Sequence, residues 1–231
     1  MTDPSARPWI LSIGFILLAA FVSGCDRQPS TPAPSASSSP KSSATAPSTA
    51  NLPTTASSFS TAKKWLYEKV YYDHPKTFYC GCDYSRSAGQ AGQINLQSCG
   101  VQVRQDQERA QRLEAEHVFP AAQFGNFRPC WREPAQFPAC VKSDGKTLSG
   151  RQCCEKVDPL FEAAHNDLYN LFPAEGEING DRKDYNWGMV SGVSAYGRCA
   201  FKIDAGNRRA EPPDAVKGDI ARSMFYMADT Y

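Results

Sequence analysis

The segment Ala115-Glu116-His117-Val118-Phe119-Pro120 places an acidic and a basic side chain side by side within a short apolar run. Ala115 to Phe119 predicts a β-strand that ends at Pro120. Consecutive side chains of a regular strand point to opposite faces. Glu116 and His117 can therefore serve one site only if the chain forms a bulge there or if the strand ends at that point.

Upstream of this segment the pattern predicts a helix that stops before Asp73-His74-Pro75, with Ser60 as its N-cap. The residues that this helix would turn toward a core are Trp65, Leu66 and Val70. Thr77 to Cys80 is β-prone, and the glycines that follow it indicate a loop.

Downstream, Asp158-Pro159 is a strong helix start, because proline is favoured at the first helical position. Leu160, Ala164 and Leu168 recur at a spacing of four and would face the core. Residues 104–112 are polar and fit either a helix or an exposed turn. We therefore expect one α+β domain with long loops and no internal repeats.

The charge of the chain gives little support to a nucleic-acid partner. The formal net charge of the 231 residues is +1. Residues 1–57 hold three basic and two acidic side chains, so the rest of the chain holds 22 of each. Attraction of a phosphate backbone would require a local basic face. Bulk charge is thus weak evidence against a nucleic-acid substrate.

Eight of the nine cysteines lie between Cys80 and Cys199. Such a density is typical of an oxidising compartment or of a metal–cysteine protein. Cys80-Gly81-Cys82 and the adjacent Cys153-Cys154 are poor matches for the ligand spacing of tetrahedral zinc sites. We therefore expect disulfides.

The first 57 residues indicate a targeting segment followed by a tether. Residues 9–22 form an apolar run that is short for a membrane span and suits a signal-peptide core. Val22-Ser23-Gly24-Cys25 resembles the bacterial lipobox, in which the cysteine is acylated; the alternative is a plain secretory signal cleaved nearby. Residues 28–57 are almost entirely Ser, Thr, Ala and Pro. We assign residues 1–24 to a lipoprotein signal peptide, 25–57 to a disordered tether and 58–231 to the folded domain.

A set of motifs follows in a fixed order through residues 58–231. They are Asp73-His74-Pro75, Phe78-Tyr79-Cys80-Gly81-Cys82-Asp83, Glu116-His117-Val118-Phe119-Pro120 with Gln123-Phe124-Gly125, Asn170-Leu171-Phe172-Pro173, Gly176-Glu177-Ile178-Asn179-Gly180-Asp181-Arg182 and Glu211-Pro212-Pro213. Each motif alone is weak, but the ordered set resembles the bacterial periplasmic endonuclease I family. This resemblance implies a ββα-metal (His-Me finger) nuclease core in a single disulfide-rich domain.

Residue by residue, the resemblance implies that His117 is the general base, that Glu116 and Asn179 are metal ligands, and that Arg151 binds phosphate. These residue types suit phosphodiester hydrolysis. A histidine with a pKa near neutrality can take a proton from water. A carboxylate and an amide oxygen suit Mg²⁺, with other divalent cations as alternatives, and an arginine binds phosphate through two parallel donors.

Other polar residues in these motifs have structural interpretations. His74 lies before proline in a helix-ending turn and is assigned a structural role. His165 is expected to be partly exposed on a helix surface, and Asn170 to cap the end of that helix, which ranks it below Asn179 as a ligand. Arg182 fits either a phosphate contact or an ion pair with a neighbouring aspartate.

The chain departs from the family in two places. An insertion-like stretch from Pro134 to Ser149 adds Cys140, and Cys153 is also an extra cysteine. The chain stops at Tyr231, whereas members of the family continue, so we expect a C-terminally truncated protein.

Three disulfides are expected: Cys82 with Cys99 across a glycine-containing loop, Cys130 with Cys154 around the insertion, and Cys140 with Cys153 as the extra pair. In the family, Cys80 and Cys199 would reach cysteines in the C-terminal segment that this chain lacks. We therefore expect that Cys80 and Cys199 are not bonded to each other.

Two functions fit these observations. The first is a monomeric, metal-dependent and largely sequence-non-specific endonuclease of the bacterial cell envelope, periplasmic or at the surface, acting on DNA with RNA as a second candidate. The second is a membrane-tethered, nuclease-derived module that binds DNA and is impaired in catalysis by the missing C-terminal segment. The combination of Glu116, His117 and Asn179 favours the endonuclease, because phosphate binding alone needs no general base.

Overall fold

The computed structural model describes residues 52–87 and 92–231. The predicted signal peptide, the lipidation site Cys25 and most of the tether lie outside these residues. Ala56 is buried, and its carbonyl oxygen accepts a hydrogen bond from Asn166 Nδ2 at 3.1 Å. The packed domain therefore includes residues before Ser58, where its predicted boundary lies.

Short strands alternate with helices along the chain. The helices are α1 (Phe59–Trp65), α2 (Leu96–Cys99), α3 (Gln107–Ala110), α4 (Ala121–Gly125), α5 (Pro129–Arg132), α6 (Gly150–Val157), α7 (Pro159–His165), α8 (Gly176–Arg182) and α9 (Asp214–Thr230). The strands are β1 (Asp83–Ser85), β2 (Gln93–Asn95), β3 (Leu113–His117), β4 (Leu171–Glu175), β5 (Asn186–Trp187), β6 (Lys202–Asp204) and β7 (Arg209–Glu211). None of these helices has the length and apolar character that a bilayer span requires.

The centre of the domain is an antiparallel pair of strands followed directly by a helix. Strand β3 pairs with β4 in regular register from Leu113 opposite Glu175 to His117 opposite Leu171. Helix α8 begins at Gly176 without an intervening loop. A Cβ atom at Gly176 would lie 2.4 Å from the Arg109 carbonyl oxygen, so this close approach requires glycine.

Two smaller sheets complete the α+β architecture, as the sequence predicts. Strands β1 and β2 form an antiparallel pair. Strand β7 lies between β5, to which it is parallel, and β6, to which it is antiparallel. The largest core cluster joins residues from the central pair, α8 and these outer elements, among them Val118, Ile178, Phe201 and Ile220.

Helix starts follow local capping signals. The Asp158 carboxylate caps α7 by accepting a hydrogen bond from the Phe161 backbone N–H, and Pro159 occupies the first turn, as predicted. Two details of the helix predictions are wrong. Ser58, not Ser60, caps α1. Val70 lies in a π-helical turn, Leu66–Val70, that continues α1, and it is exposed.

Thr77 to Cys80 does not form the predicted strand. The Gly81 N–H donates to the Thr77 carbonyl oxygen at 3.0 Å, and the Cys82 N–H donates to Thr77 Oγ1 at 2.8 Å. These bonds close a turn, and Gly81 adopts a positive φ of 68° within it. β-Propensity is overridden here because local hydrogen bonds satisfy the backbone.

Four disulfides join the described cysteines: Cys80–Cys199, Cys82–Cys99, Cys130–Cys154 and Cys140–Cys153. The last three are the expected pairs. The prediction that Cys80 and Cys199 are not bonded to each other is wrong. Although 119 residues separate them, Cys80 and Cys199 belong to the same packed cluster, with Cα atoms 5.2 Å apart.

Glu175 is buried at the end of β4, beside the turn that carries Cys80 and Cys82. One carboxylate oxygen accepts hydrogen bonds from Thr77 Oγ1 and the Cys80 N–H, whereas the other is buried without a partner in the described part of the chain. Burial raises the pKa of Glu175 from 4.5 to about 7. Between these two values the native protein keeps a proton that the unfolded chain releases.

Glu175→Gln is expected to stabilise the protein at pH 8. The raised pKa means that stability present below about pH 4.5 is lost as the pH rises through about 7. The free energy of unfolding falls by as much as about 3 kcal/mol. Glutamine does not ionise, so the Glu175→Gln protein keeps this stability. Urea unfolding at pH 5 and pH 8 measures the difference, with exposed Glu108→Gln as the control. An equal pH dependence in wild type and Glu175→Gln would contradict the expectation.

Candidate active site

The four residues assigned to catalysis from the sequence line one cavity of about 850 Å³: Glu116, His117, Arg151 and Asn179. Strand β3 contributes the first two, the first turn of α6 contributes Arg151, and α8 contributes Asn179. Residues of α1 and α4 complete the wall. The central strand pair and its following helix thus bring together side chains that are far apart in the sequence.

His117 is the last residue of β3, and the strand has no bulge there. Glu116 and His117 nevertheless both line the cavity at this end of the strand. His117 Nε2 lies 2.8 Å from the His165 carbonyl oxygen. Because a carbonyl can only accept, Nε2 carries the proton in neutral His117 and Nδ1 keeps its lone pair.

The surroundings of His117 favour its neutral form. The ring is buried and stacks on Phe59 with centroids 5.2 Å apart. Burial lowers the pKa of His117 well below its usual value, and the nearby His165 and Arg151 lower it further. At pH 7 the imidazole is therefore uncharged, with the lone pair on Nδ1.

Glu116 is buried on the strand beside His117. Its Oε1 accepts hydrogen bonds from the Tyr79 hydroxyl at 2.6 Å and from Arg182 Nη1 at 3.0 Å. Burial raises the pKa of Glu116, while Arg182 and Tyr79 act in the opposite direction. No hydrogen bond engages its Oε2 within the described residues, which leaves that oxygen for a ligand in the cavity.

Arg182 serves the protein interior rather than phosphate. It is 1% exposed, and it donates to Glu116 Oε1 and to the carbonyl oxygens of His117 and Val118. Its guanidinium carbon lies 4.3 Å from the centroid of the Trp187 ring. Neither use predicted for Arg182 is observed, because it is enclosed here while Arg104 and Arg208 pair with the neighbouring aspartates.

The assignments of His165 and Asn170 also need correction. His165 is fully buried, not partly exposed, and its ring centroid lies 4.6 Å from that of His117. Burial, aided by Arg151, lowers the pKa of His165 to about 4. Asn170 does not cap α7; its amide exchanges two hydrogen bonds with the Phe119 backbone. His74 is exposed and contacts Asp73.

The cavity is strongly basic although the chain is almost neutral. Eight basic side chains line it, against three acidic ones. The basic residues are Lys63, Lys64, Arg86, Arg109, Arg112, Arg151, Arg182 and Lys183, and the acidic residues are Glu114, Glu116 and Asp184. The fold therefore creates the local basic face that a phosphate backbone requires.

Comparison with known proteins decides the family. The model of the Endonuclease I family matches residues 58–231. The chain belongs to the Endonuclease I family. The resemblance read from the ordered motifs is thereby confirmed.

Endonuclease I relatives align with most of the folded part of the chain. Endonuclease-1 of Buchnera aphidicola subsp. Acyrthosiphon pisum (strain APS) is 40% identical over 164 residues, which is 71% of this chain and 59% of that protein. An extracellular deoxyribonuclease of Aeromonas hydrophila is 38% identical over 74% of this chain and 68% of its own length. A periplasmic deoxyribonuclease of the same species is 39% identical over 71% and 62%. The chain thus spans about three fifths of the first of these relatives.

The cavity contains one polar residue that the sequence analysis missed. Glu114 lies in the cavity, and its Oε2 accepts a hydrogen bond from Asn179 Nδ2 at 2.9 Å. Its position two residues before Glu116 was the available signal, because residues i and i+2 of a strand share a face. Tyr79 was recognised only as part of a motif, although its hydroxyl holds Glu116.

The donor set of this endonuclease I cavity fits a hard divalent cation. Glu116 Oε2 and Asn179 Oδ1 are oxygens without hydrogen-bond partners in the described part of the chain. Mg²⁺ favours such a sparse set, since it retains waters and accepts phosphate oxygens. No group of three or more His, Cys, Asp or Glu side chains suited to a metal occurs within residues 52–87 and 92–231.

Proposed function

We propose that this chain is a divalent-metal-dependent, largely sequence-non-specific endonuclease that hydrolyses the phosphodiester bonds of DNA, with RNA as a second candidate substrate. One observation carries the proposal: a buried, neutral His117 with an available Nδ1 faces a cavity in which eight basic side chains outnumber three acidic ones. The names of the endonuclease and deoxyribonuclease relatives support the same activity.

In the proposed mechanism His117 Nδ1 accepts a proton from the attacking water. The His165 carbonyl oxygen holds the opposite ring nitrogen and so fixes the direction of the lone pair. Glu116 and Asn179 are the proposed metal ligands, and a bound Mg²⁺ would stabilise negative charge on the leaving 3′ oxygen. Arg151, on the cavity wall, binds the phosphate through its fork of donors.

We assign β3, β4 and α8 to the ββα-metal core of this mechanism. Strand β3 carries the proposed base and one ligand, and α8 carries the other ligand. The exposed lysines of the cavity, Lys63, Lys64 and Lys183, would contact further phosphates. Phosphate contacts carry no direct base information, which accounts for low sequence preference.

Purified protein is expected to nick supercoiled plasmid DNA with Mg²⁺, and excess EDTA should abolish the reaction. The reason is that His117 supplies the base, whereas a divalent cation held by Glu116 and Asn179 would stabilise the charge on the leaving oxygen. Agarose-gel assays with added Mg²⁺ after chelation measure the reversal. DNA binding without chelator-sensitive cleavage would instead support the DNA-binding module, and cleavage of an RNA substrate in parallel tests the second substrate class.

We further propose that the protein works in the bacterial cell envelope, attached through acylated Cys25. Support comes from the lipobox-like segment and from periplasmic and extracellular deoxyribonucleases among the relatives. Mass spectrometry of the mature N-terminus tests this proposal. An N-terminus well beyond Cys25 would contradict lipid anchoring without affecting the proposed activity.

A further inference from the structure

We propose that Glu114 is a positioning residue that orients the side-chain amide of Asn179 toward the metal. The inference rests on the proposed role of Asn179 as a metal ligand. Glu114 lies on β3 and Asn179 in the second turn of α8, and both line the cavity. Their side chains meet between the strand and the helix that build the site.

The hydrogen bond between the two residues selects one orientation of the amide. Asn179 Nδ2 donates to Glu114 Oε2 at 2.9 Å. An asparagine amide carries a donor on one side and an acceptor on the other, and only the oxygen can bind a cation. With Nδ2 held by a carboxylate, Oδ1 points away from Glu114. The flipped orientation would place two oxygens against each other and would present N–H groups to the cation.

Glu114 is held so firmly that it is unsuited to be a ligand itself. Arg112 donates to Glu114 Oε1 from Nε at 2.9 Å and from Nη2 at 2.6 Å. Arg109 donates to both carboxylate oxygens, at 3.3 and 3.1 Å. Both oxygens are therefore occupied, whereas Glu116 keeps Oε2 available. The two arginines also hold the carboxylate in place.

The approach of Arg109 depends on the residue after Asn179. A Cβ atom at Gly180 would lie 2.3 Å from Arg109 Nη1. Glycine at this position therefore lets the guanidinium group lie against α8 while it holds Glu114. Asn179 thus supplies the amide that bonds to Glu114. Gly180 leaves the space for Arg109, which holds Glu114 in place.

Two substitutions at Glu114 separate positioning from general damage. Glu114→Ala removes the acceptor and should weaken Mn²⁺ binding to the DNA-free protein about tenfold or more, as expected for loss of an outer partner of a metal ligand. Glu114→Gln keeps a carbonyl oxygen that can accept from Asn179 Nδ2 and should restore most of the affinity. The free-ion EPR signal of Mn²⁺ measures binding, and Glu108→Ala, which removes an exposed carboxylate, is the matched control. If the alanine variant fails to fold, Glu114→Met replaces it, because methionine fills similar volume without an acceptor.

Mn²⁺ binding by Asn179→Ala, measured in the same way, distinguishes the positioning role of Glu114 from the ligand role of Asn179. Weak Mn²⁺ binding by both Asn179→Ala and Glu114→Ala, with recovery in Glu114→Gln, is the expected result. Wild-type binding by Glu114→Ala together with weak binding by Asn179→Ala would overturn the positioning role and leave the ligand assignment intact. Equal losses in Glu114→Gln and Glu114→Ala would also overturn it, because charge rather than orientation would then matter. Wild-type binding by Asn179→Ala would refute the ligand assignment itself.

Discussion

His117→Ala is expected to lower the rate of plasmid cleavage by about 10²-fold or more, the usual effect of losing a general base. The Nδ1 lone pair is the group that accepts the proton from water, and alanine offers no substitute. DNA binding should change little, because the basic side chains of the cavity remain. Single-turnover cleavage of a labelled duplex measures the loss at the chemical step.

His74→Ala is the matched control for this experiment. His74 is an exposed histidine outside the cavity, so its removal should leave the cleavage rate near that of the wild type. Circular dichroism of both variants checks the fold, since His117 packs against Phe59 and His165. Robust cleavage by a folded His117→Ala protein would rule out His117 as the base.

Asn179→Ala and Glu116→Ala are expected to abolish most Mg²⁺-dependent cleavage but to differ in stability. Asn179 is half-buried and contacts Glu114, so its loss should leave the fold intact. Glu116 is the charged partner of Arg182 in the interior. Removing one member of a buried ion pair leaves the other charge uncompensated and costs about 3–5 kcal/mol.

Cleavage as a function of Mg²⁺ concentration and urea unfolding test this pair of expectations. Asn126→Ala, at an exposed asparagine outside the cavity, is the control for the asparagine substitution. If Glu116→Ala were as stable as Asn179→Ala, the buried charge of Arg182 would not need Glu116 to compensate it. Normal Mg²⁺ dependence in both variants would remove the proposed ligand pair.

Sequence signals correctly predicted those parts of the fold that depend on residues close together in the chain. Asp158-Pro159 begins α7, because a side-chain acceptor and a fixed φ act within one turn. The disulfides Cys82–Cys99 and Cys140–Cys153 close short loops, with sequence separations of 17 and 13. Thr77 to Cys80 shows the limit of such signals, since its β-propensity yields to hydrogen bonds within a turn.

The sequence pointed to residues of the candidate site but not to the side chains that surround them. The family resemblance implied roles for Glu116, His117, Arg151 and Asn179, and the structure brings all four to one cavity. The burial of His165 and Arg182 was missed, because exposure depends on elements that pack from elsewhere in the chain. Glu114 was missed because its partner Asn179 lies 65 residues away.

The sequence by itself determined the family, the α+β class and the residue types of the site, since ordered motifs and local caps are properties of the chain. Tertiary structure alone decided three other features: the Cys80–Cys199 bond, the end of β3 at His117 and the basic character of the cavity. Each depends on distances between residues that are remote in the sequence. A composition of 22 basic and 22 acidic residues after residue 57 sums to neutrality, but folding gathers eight of the basic side chains around one cavity and leaves most acidic ones elsewhere.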